Sequence, residues 1–229
     1  MTNIADHILS NIRPAKIIDA PTSAYVPIDI SKQNKELETF NIASSKEWEM
    51  YITNYLKKRN AKVAYGGYFE VRDIYKRSPH FASRDKTHER NIHLGIDLWS
   101  RAGTPVLAPL EGTIHSFKNN TNYGDYGPTI ILQHTVKTVP FYTLYGHLSL
   151  DSIHHIKTRQ TIKKGEVIGY LGAASVNGSY APHVHFQIVL DLENHLGDYS
   201  GVASKEAFDF YRKNCPDPSL IVALYQEEY

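Results

Sequence analysis

From Lys62 onward the chain runs in short apolar stretches, punctuated by glycine, proline and asparagine. Val63-Ala64-Tyr65, Tyr68–Tyr75, Ile92–Trp99, Val106–Ala108, Gly112–Phe117, Thr129–His134, Phe141–Tyr145, Glu166–Leu171 and Val184–Leu190 have the length and residue content of strands. Turn signals recur at short intervals, and no helix-length segments alternate with these runs. The pattern therefore predicts a mainly β fold with an antiparallel sheet or sandwich core, not a doubly wound parallel sheet. Upstream the texture differs. Trp48, Tyr51, Ile52, Tyr55 and Leu56 recur at helical spacing and predict one helix over 45–59. Ser44 and Glu47 have the spacing of a capping box, and Lys57, Lys58 and Arg59 complement the negative end of the helix dipole. The residues before Ser44 are irregular and interrupted by Pro14, Pro21 and Pro27. A short helix is expected around Lys205 to Lys213, ended by Pro216 and Pro218. The expected organisation is an N-terminal extension over 1–85 packed on a β-rich core over 86–195, followed by a tail over 196–229.

Composition narrows the classes without choosing among them. The 229 residues are 41% hydrophobic and 21% charged, as in an ordinary globular protein, and the formal net charge is +1. That balance gives no reason to expect nucleic-acid binding or an anionic membrane surface. With Cys215 as the sole cysteine, no intramolecular disulfide can form. Met1 to Ser10 contains Asp6 and His7 and lacks a continuous apolar run, so it does not read as a signal peptide. No later stretch is long and apolar enough to cross a bilayer. The expected location is cytoplasmic, with non-classical export left open. Twelve histidines is a high count. His7, His80, His88, His154, His155 and His195 lie in polar stretches and are expected on the surface or in loops.

Three places carry residues suited to chemistry. In Ala181-Pro182-His183-Val184-His185-Phe186-Gln187-Ile188, Val184, Phe186 and Ile188 alternate with His183, His185 and Gln187. The two imidazoles on one face can share a metal, or one can bind metal while the other handles protons; a surface strand with two histidines would look the same. His93-Leu94-Gly95-Ile96-Asp97 places a histidine four residues before an aspartate. On a straight strand these lie roughly 13 Å apart, too far for one ion with bonds of about 2 Å. The backbone must bend between them, and Gly95 permits it. His147 follows the predicted strand end at Gly146, where a side chain projects. Two histidines and a carboxylate form a common zinc set that leaves a position open for water. A non-ligand histidine beside such a site can accept and return a proton.

These segments together resemble the lysostaphin-type (LytM-like) zinc metallopeptidases. The similarity covers His93 to Asp97, Tyr145-Gly146-His147-Leu148 and Pro182-His183-Val184-His185-Phe186, in that order over roughly residues 90 to 190. Ala102 to Pro109 with Gly112, and Lys163 to Gly169 with Gly172, extend it. The resemblance implies a duplicated hybrid motif (barrel-sandwich hybrid) fold. It also implies Zn2+ bound by His93, Asp97 and His185, with His147 and His183 as the catalytic histidines. The expected activity is zinc-dependent hydrolysis of peptide or amide bonds through a zinc-bound water, with a peptide or peptidoglycan fragment as substrate. His134 matches a further recurrent family position and is expected to be structural. There are departures: Gln187 stands where a glutamate is common, residues 1 to 80 have no counterpart in the minimal peptidase, and the chain is closer to a branch without a signal peptide. Two other functions stay in play, a non-catalytic metal-binding regulatory or partner-binding module and a zinc amidohydrolase acting on a small intracellular amide.

Overall fold

The computed structural model describes residues 9, 11–79, 81, 83 and 85–224. His7 and His80, and nearly all of the stretch read above as lacking a signal peptide, lie outside the described residues. The strands are β1 (Tyr25–Pro27), β2 (Val63–Gly66), β3 (Arg90–His93), β4 (Ile96–Trp99), β5 (Pro105–Leu107), β6 (Gly112–Asn120), β7 (Gly127–Val136), β8 (Val139–Gly146), β9 (Thr161–Ile162), β10 (Val167–Tyr170), β11 (His183–Val189) and β12 (Val202–Ser204). Eight of them form one sheet in the order β1-β2-β4-β11-β8-β7-β6-β9. Its pairings are antiparallel except β1 with β2. The remaining strands make two small antiparallel pairs, β5 with β10 and β3 with β12. The mainly β, antiparallel architecture is the one the periodicity predicts.

Long-range pairing in the middle of the sheet fixes the site. β11 lies between β4 and β8, so its pleat decides what meets what. Val184, Phe186 and Ile188 enter the main core with Ile96, Leu98, Ile130, Leu132 and Tyr145. His183, His185 and Gln187 project to the opposite face, as alternation requires. That face is covered too: every residue of β11 is buried. The cover comes largely from chain segments before β3 and after β11.

The helices follow their amphipathic signals. Helix α1 spans Ser45–Lys58 and buries Trp48 and Ile52. Ser44 caps it by accepting the Glu47 N–H through its hydroxyl at 3.2 Å. The reciprocal half of the capping box is absent, because the Glu47 carboxylate accepts the Asn41 N–H instead. Helix α2 spans Phe208–Asn214, three residues further on than its expected start. Among the described residues no helix is long and apolar enough to cross a membrane.

Two predicted strands change character. Tyr68–Tyr75 is not a strand. Gly67 and Phe69 have φ of 108° and 57°, which turns the chain. Only a bridge from Val71 to Ile92 survives, and Ile74–Arg77 is a 3-10 turn. The aromatic, β-branched composition of this run favours a strand, but the fold uses it to cover the sheet. Ile92–Trp99 is cut into β3 and β4, which belong to different sheets.

Candidate metal centre

The register of β4 against β11 sets Asp97 opposite His185, and His185 faces Gly146 of β8 on its other side. His93 arrives from β3 after the corner at Leu94-Gly95. The bend closes the span expected for a straight strand, leaving His93 Nε2 3.2 Å from Asp97 Oδ1. Gly95 serves more than the bend. A Cβ there would sit 2.5 Å from the Phe186 carbonyl oxygen and 2.8 Å from the His185 ring.

The hydrogen bonds on the far side of each imidazole decide where its lone pair points. His93 Nδ1 donates to the Gly67 carbonyl at 2.9 Å, so Nε2 presents a lone pair. His185 Nε2 donates to Gln187 Oε1 at 2.8 Å, so Nδ1 presents a lone pair. These two bare nitrogens face each other at 2.8 Å. Asp97 Oδ1 lies 3.3 Å from His185 Nδ1 and, though buried, accepts no hydrogen bond. The three ligand atoms lie within 4.8 Å of one another. Two lone pairs and an ionised oxygen in so small a space repel unless a positive centre joins them. A proton is a poor candidate, because burial, helped by the Arg72 charge, pushes His93 down to about 3. A divalent cation fits the donor set.

Asp97 is ionised in spite of its burial. Burial works against its charge, but the neighbouring imidazoles and Arg72 outweigh that and hold its carboxyl well below the usual carboxylate range. Arg72 NH1 meets Asp97 Oδ2 at 2.5 Å, and both side chains are 2–3% exposed. Gln187 completes the outer contacts. Its amide donates to the Ser200 carbonyl at 3.0 Å and to Cys215 Sγ at 3.2 Å, which fixes its oxygen toward His185.

His147 and His183 stand beside this trio with ring centroids 4.2 Å apart. His147 Nδ1 donates to the Asn177 carbonyl at 2.8 Å, and His183 Nδ1 to the Ala181 carbonyl at 2.7 Å. Each keeps its Nε2 lone pair. His183 Nε2 is 3.8 Å from Asp97 Oδ1, and its ring stacks on Trp99. Burial lowers the pKa of both histidines, and for His147 the neighbouring His183 adds to it. Both are therefore neutral proton acceptors near pH 7. His147 has a φ of 63°, an unusual backbone state for a non-glycine residue. Asn177 holds the adjoining loop: its side chain donates to the carbonyls of Gly172 and Tyr180 and accepts the Tyr180 N–H.

All five candidate residues thus converge, and all line one cavity of about 220 Å³. Arg72, Tyr75, Phe81, Tyr126 and Tyr180 also line it. Arg77 ties its walls together, donating to the Ser179 carbonyl at 2.8 Å and lying over the Tyr180 ring at 4.0 Å. His134 is elsewhere. It is buried on β7 between the Glu111 carbonyl and the Thr143 hydroxyl. His88, His154, His155 and His195 are exposed. Sequence reasoning passes over Glu70, Arg72 and Asn177. The hint for the first two is a run of charged residues, Glu70, Arg72 and Asp73, inside an aromatic and aliphatic stretch.

Residues 91–196, just under half of the chain, match the model of peptidase family M23. An uncharacterized metalloprotease of Haemophilus influenzae is 35% identical over 125 residues, covering 52% of this chain and 24% of its own length. Lysostaphin of Staphylococcus staphylolyticus is 33% identical over 96 residues, covering 42% of this chain and 18% of its own length. The chain therefore spans about a quarter or less of these relatives. Among solved structures, the catalytic domain of lysostaphin from Staphylococcus simulans is 28% identical, covering 53% of this chain and 80% of that one, with a TM-score of 0.38. The matched stretch begins two residues before His93 and ends eleven after His185, so it encloses the converging histidines and aspartate. Over residues 91–196 this chain is therefore similar to peptidase family M23, lysostaphin among its relatives.

Proposed function

We propose that this protein is a zinc-dependent metallopeptidase that hydrolyses peptide or amide bonds, with peptides of the peptidoglycan type as its substrate class. One observation carries the reading: two imidazole lone pairs and an unpaired, buried carboxylate oxygen converge on one point. The substrate class is supported by the relatives called lysostaphin and glycyl-glycine endopeptidase, the latter from Staphylococcus capitis.

In this reading His93 Nε2, His185 Nδ1 and Asp97 Oδ1 hold the metal. When bound, the metal supplies a Lewis acid that polarises the scissile carbonyl and acidifies water. His183 and His147 take the proton at their free Nε2 atoms and return it to the leaving amine. Their backbone acceptors, Ala181 and Asn177, keep each proton on Nδ1, so Nε2 stays available. Trp99 holds the His183 ring in plane beside Asp97.

The test has two parts. Purified protein should carry about one zinc per chain, and chelation should abolish hydrolysis that added zinc restores. Activity that persists in fully metal-free protein overturns the reading. Short free peptides and insoluble cross-linked peptidoglycan should then be assayed side by side. The cavity volume and the Arg77 tie across its walls favour the short peptides.

A further inference from the structure

Glu70 and Arg72 precede the stretch that matches the peptidase family, yet they reach its candidate metal centre. Arg72 Nε donates to Glu70 Oε2 at 2.6 Å while NH1 engages Asp97 Oδ2 at 2.5 Å. The other Glu70 oxygen accepts the Ile30 N–H at 3.0 Å. Glu70, Arg72 and Asp97 therefore form one chain of charges running outward from the site, with Arg72 fully buried in the middle.

A cation in that place is unexpected beside a metal. The candidate ligand set is two neutral imidazoles and one carboxylate, a formal charge of −1. Arg72 alone would cancel it and leave a divalent ion facing a neutral surround. Glu70 restores the single negative charge. Arg72 also occupies Oδ2, so Asp97 can offer the centre only Oδ1.

We propose that Glu70 and Arg72 set the metal affinity of this site, Arg72 as the positioning residue that makes Asp97 a one-oxygen ligand and Glu70 as the charge that offsets Arg72. The inference rests on the metal-site reading above. It assigns a function to chain segments outside the family match: the surroundings of the ligand carboxylate are built by residues that a trimmed peptidase lacks.

The experiment is a zinc affinity measurement by competition with a chromogenic chelator, on the full-length wild type, Glu70→Gln, and the double variant Glu70→Gln/Arg72→Gln. Melting of each metal-free protein is recorded as the folding control. Glu70→Gln should bind zinc about tenfold more weakly or worse, because it leaves Arg72 uncompensated near a dication. The double variant removes both charges and should recover most of that loss. A purely structural pair predicts the opposite order, since two lost contacts cost more than one. The double variant also contains no unpaired buried cation, so it reads out the affinity even if the single variant folds poorly. Zinc affinity of Glu70→Gln within twofold of wild type overturns the proposal, as does a double variant weaker than the single one. A wild type that binds no zinc would instead remove the metal-site reading itself.

Discussion

His183 and His185 are two residues apart on one strand face, and their hydrogen bonds give them different tasks. His185 donates its Nε2 proton in a hydrogen bond to the Gln187 amide oxygen and turns Nδ1 toward Asp97 and His93. His183 donates a hydrogen bond from Nδ1 to the Ala181 carbonyl and turns Nε2 toward the cavity shared with His147. The two should therefore fail differently. His185→Ala and Asp97→Ala are expected to lose zinc, because a three-ligand site cannot spare a donor. His183→Ala and His147→Ala should retain zinc while turnover falls by roughly 10²- to 10⁴-fold, the usual reach of a proton-transfer residue. Zinc content measured beside the rate decides it, and metal loss in the His183 variant would exchange the two roles. The five candidates, His93 included, stood out in the sequence through motif order and the family resemblance, and the fold brings them together. Arg72 and Asn177 did not stand out. Arg72 acts through a contact 25 residues away and Asn177 through one 30 residues away, and no local pattern encodes such partners.

Elements were legible where short β-rich runs were bounded by turns, and less so where tertiary contacts overrode local composition. The β7–β8 hairpin is the clear case. Two residues, Lys137 and Thr138, join the strands with φ of 48° and 72°, matching the twist a tight hairpin requires. Residues 68 to 75 are the opposite case, a strand-like composition spent on a covering loop. Within the hairpin, His134 on β7 bonds across to Thr143 on β8 at 2.7 Å, with the Tyr145 hydroxyl 3.0 Å from Thr143 Oγ1. On the other side of the ring, Nδ1 donates to the Glu111 carbonyl, while Nε2 pairs with the Thr143 hydroxyl. Burial accordingly pushes His134 from 6.5 to about 4. Between those values the unfolded chain binds the proton and the folded chain does not, so stability rises with pH. The contribution is complete above pH 6.5 and is lost as pH falls toward 4. Its full size is about 3 kcal/mol. Unfolding of metal-free protein, compared between wild type and His134→Gln over that range, should show the variant losing less stability on acidification. Parallel curves for the two proteins would remove His134 as the source.

At the scale of the whole molecule, the sheet does not respect the boundary of the family match. The outward contacts of all three candidate ligands lead beyond residues 91–196. His93 donates to the Gly67 carbonyl, Asp97 is held by Arg72, and Gln187 behind His185 is anchored on Ser200 and Cys215. The strands repeat the pattern. β4 pairs with β2 at one edge, and β3 pairs with β12. Removing residues 63–66 would leave β4 as an open edge whose N–H and C=O groups can template another chain. It would also uncover Trp99 and its neighbours in the second core cluster. We therefore expect a chain trimmed to residues 91–196 to associate or fail to fold cooperatively, and to hold zinc far more weakly than the full protein. Size-exclusion chromatography, thermal melting and zinc competition on the two proteins test this together. A trimmed chain that is monomeric, melts like the full protein and binds zinc equally well would show that the flanking segments cover the site without building it. The opposite result would show that residues 91–196 supply the donors while the flanking segments supply the contacts that aim them.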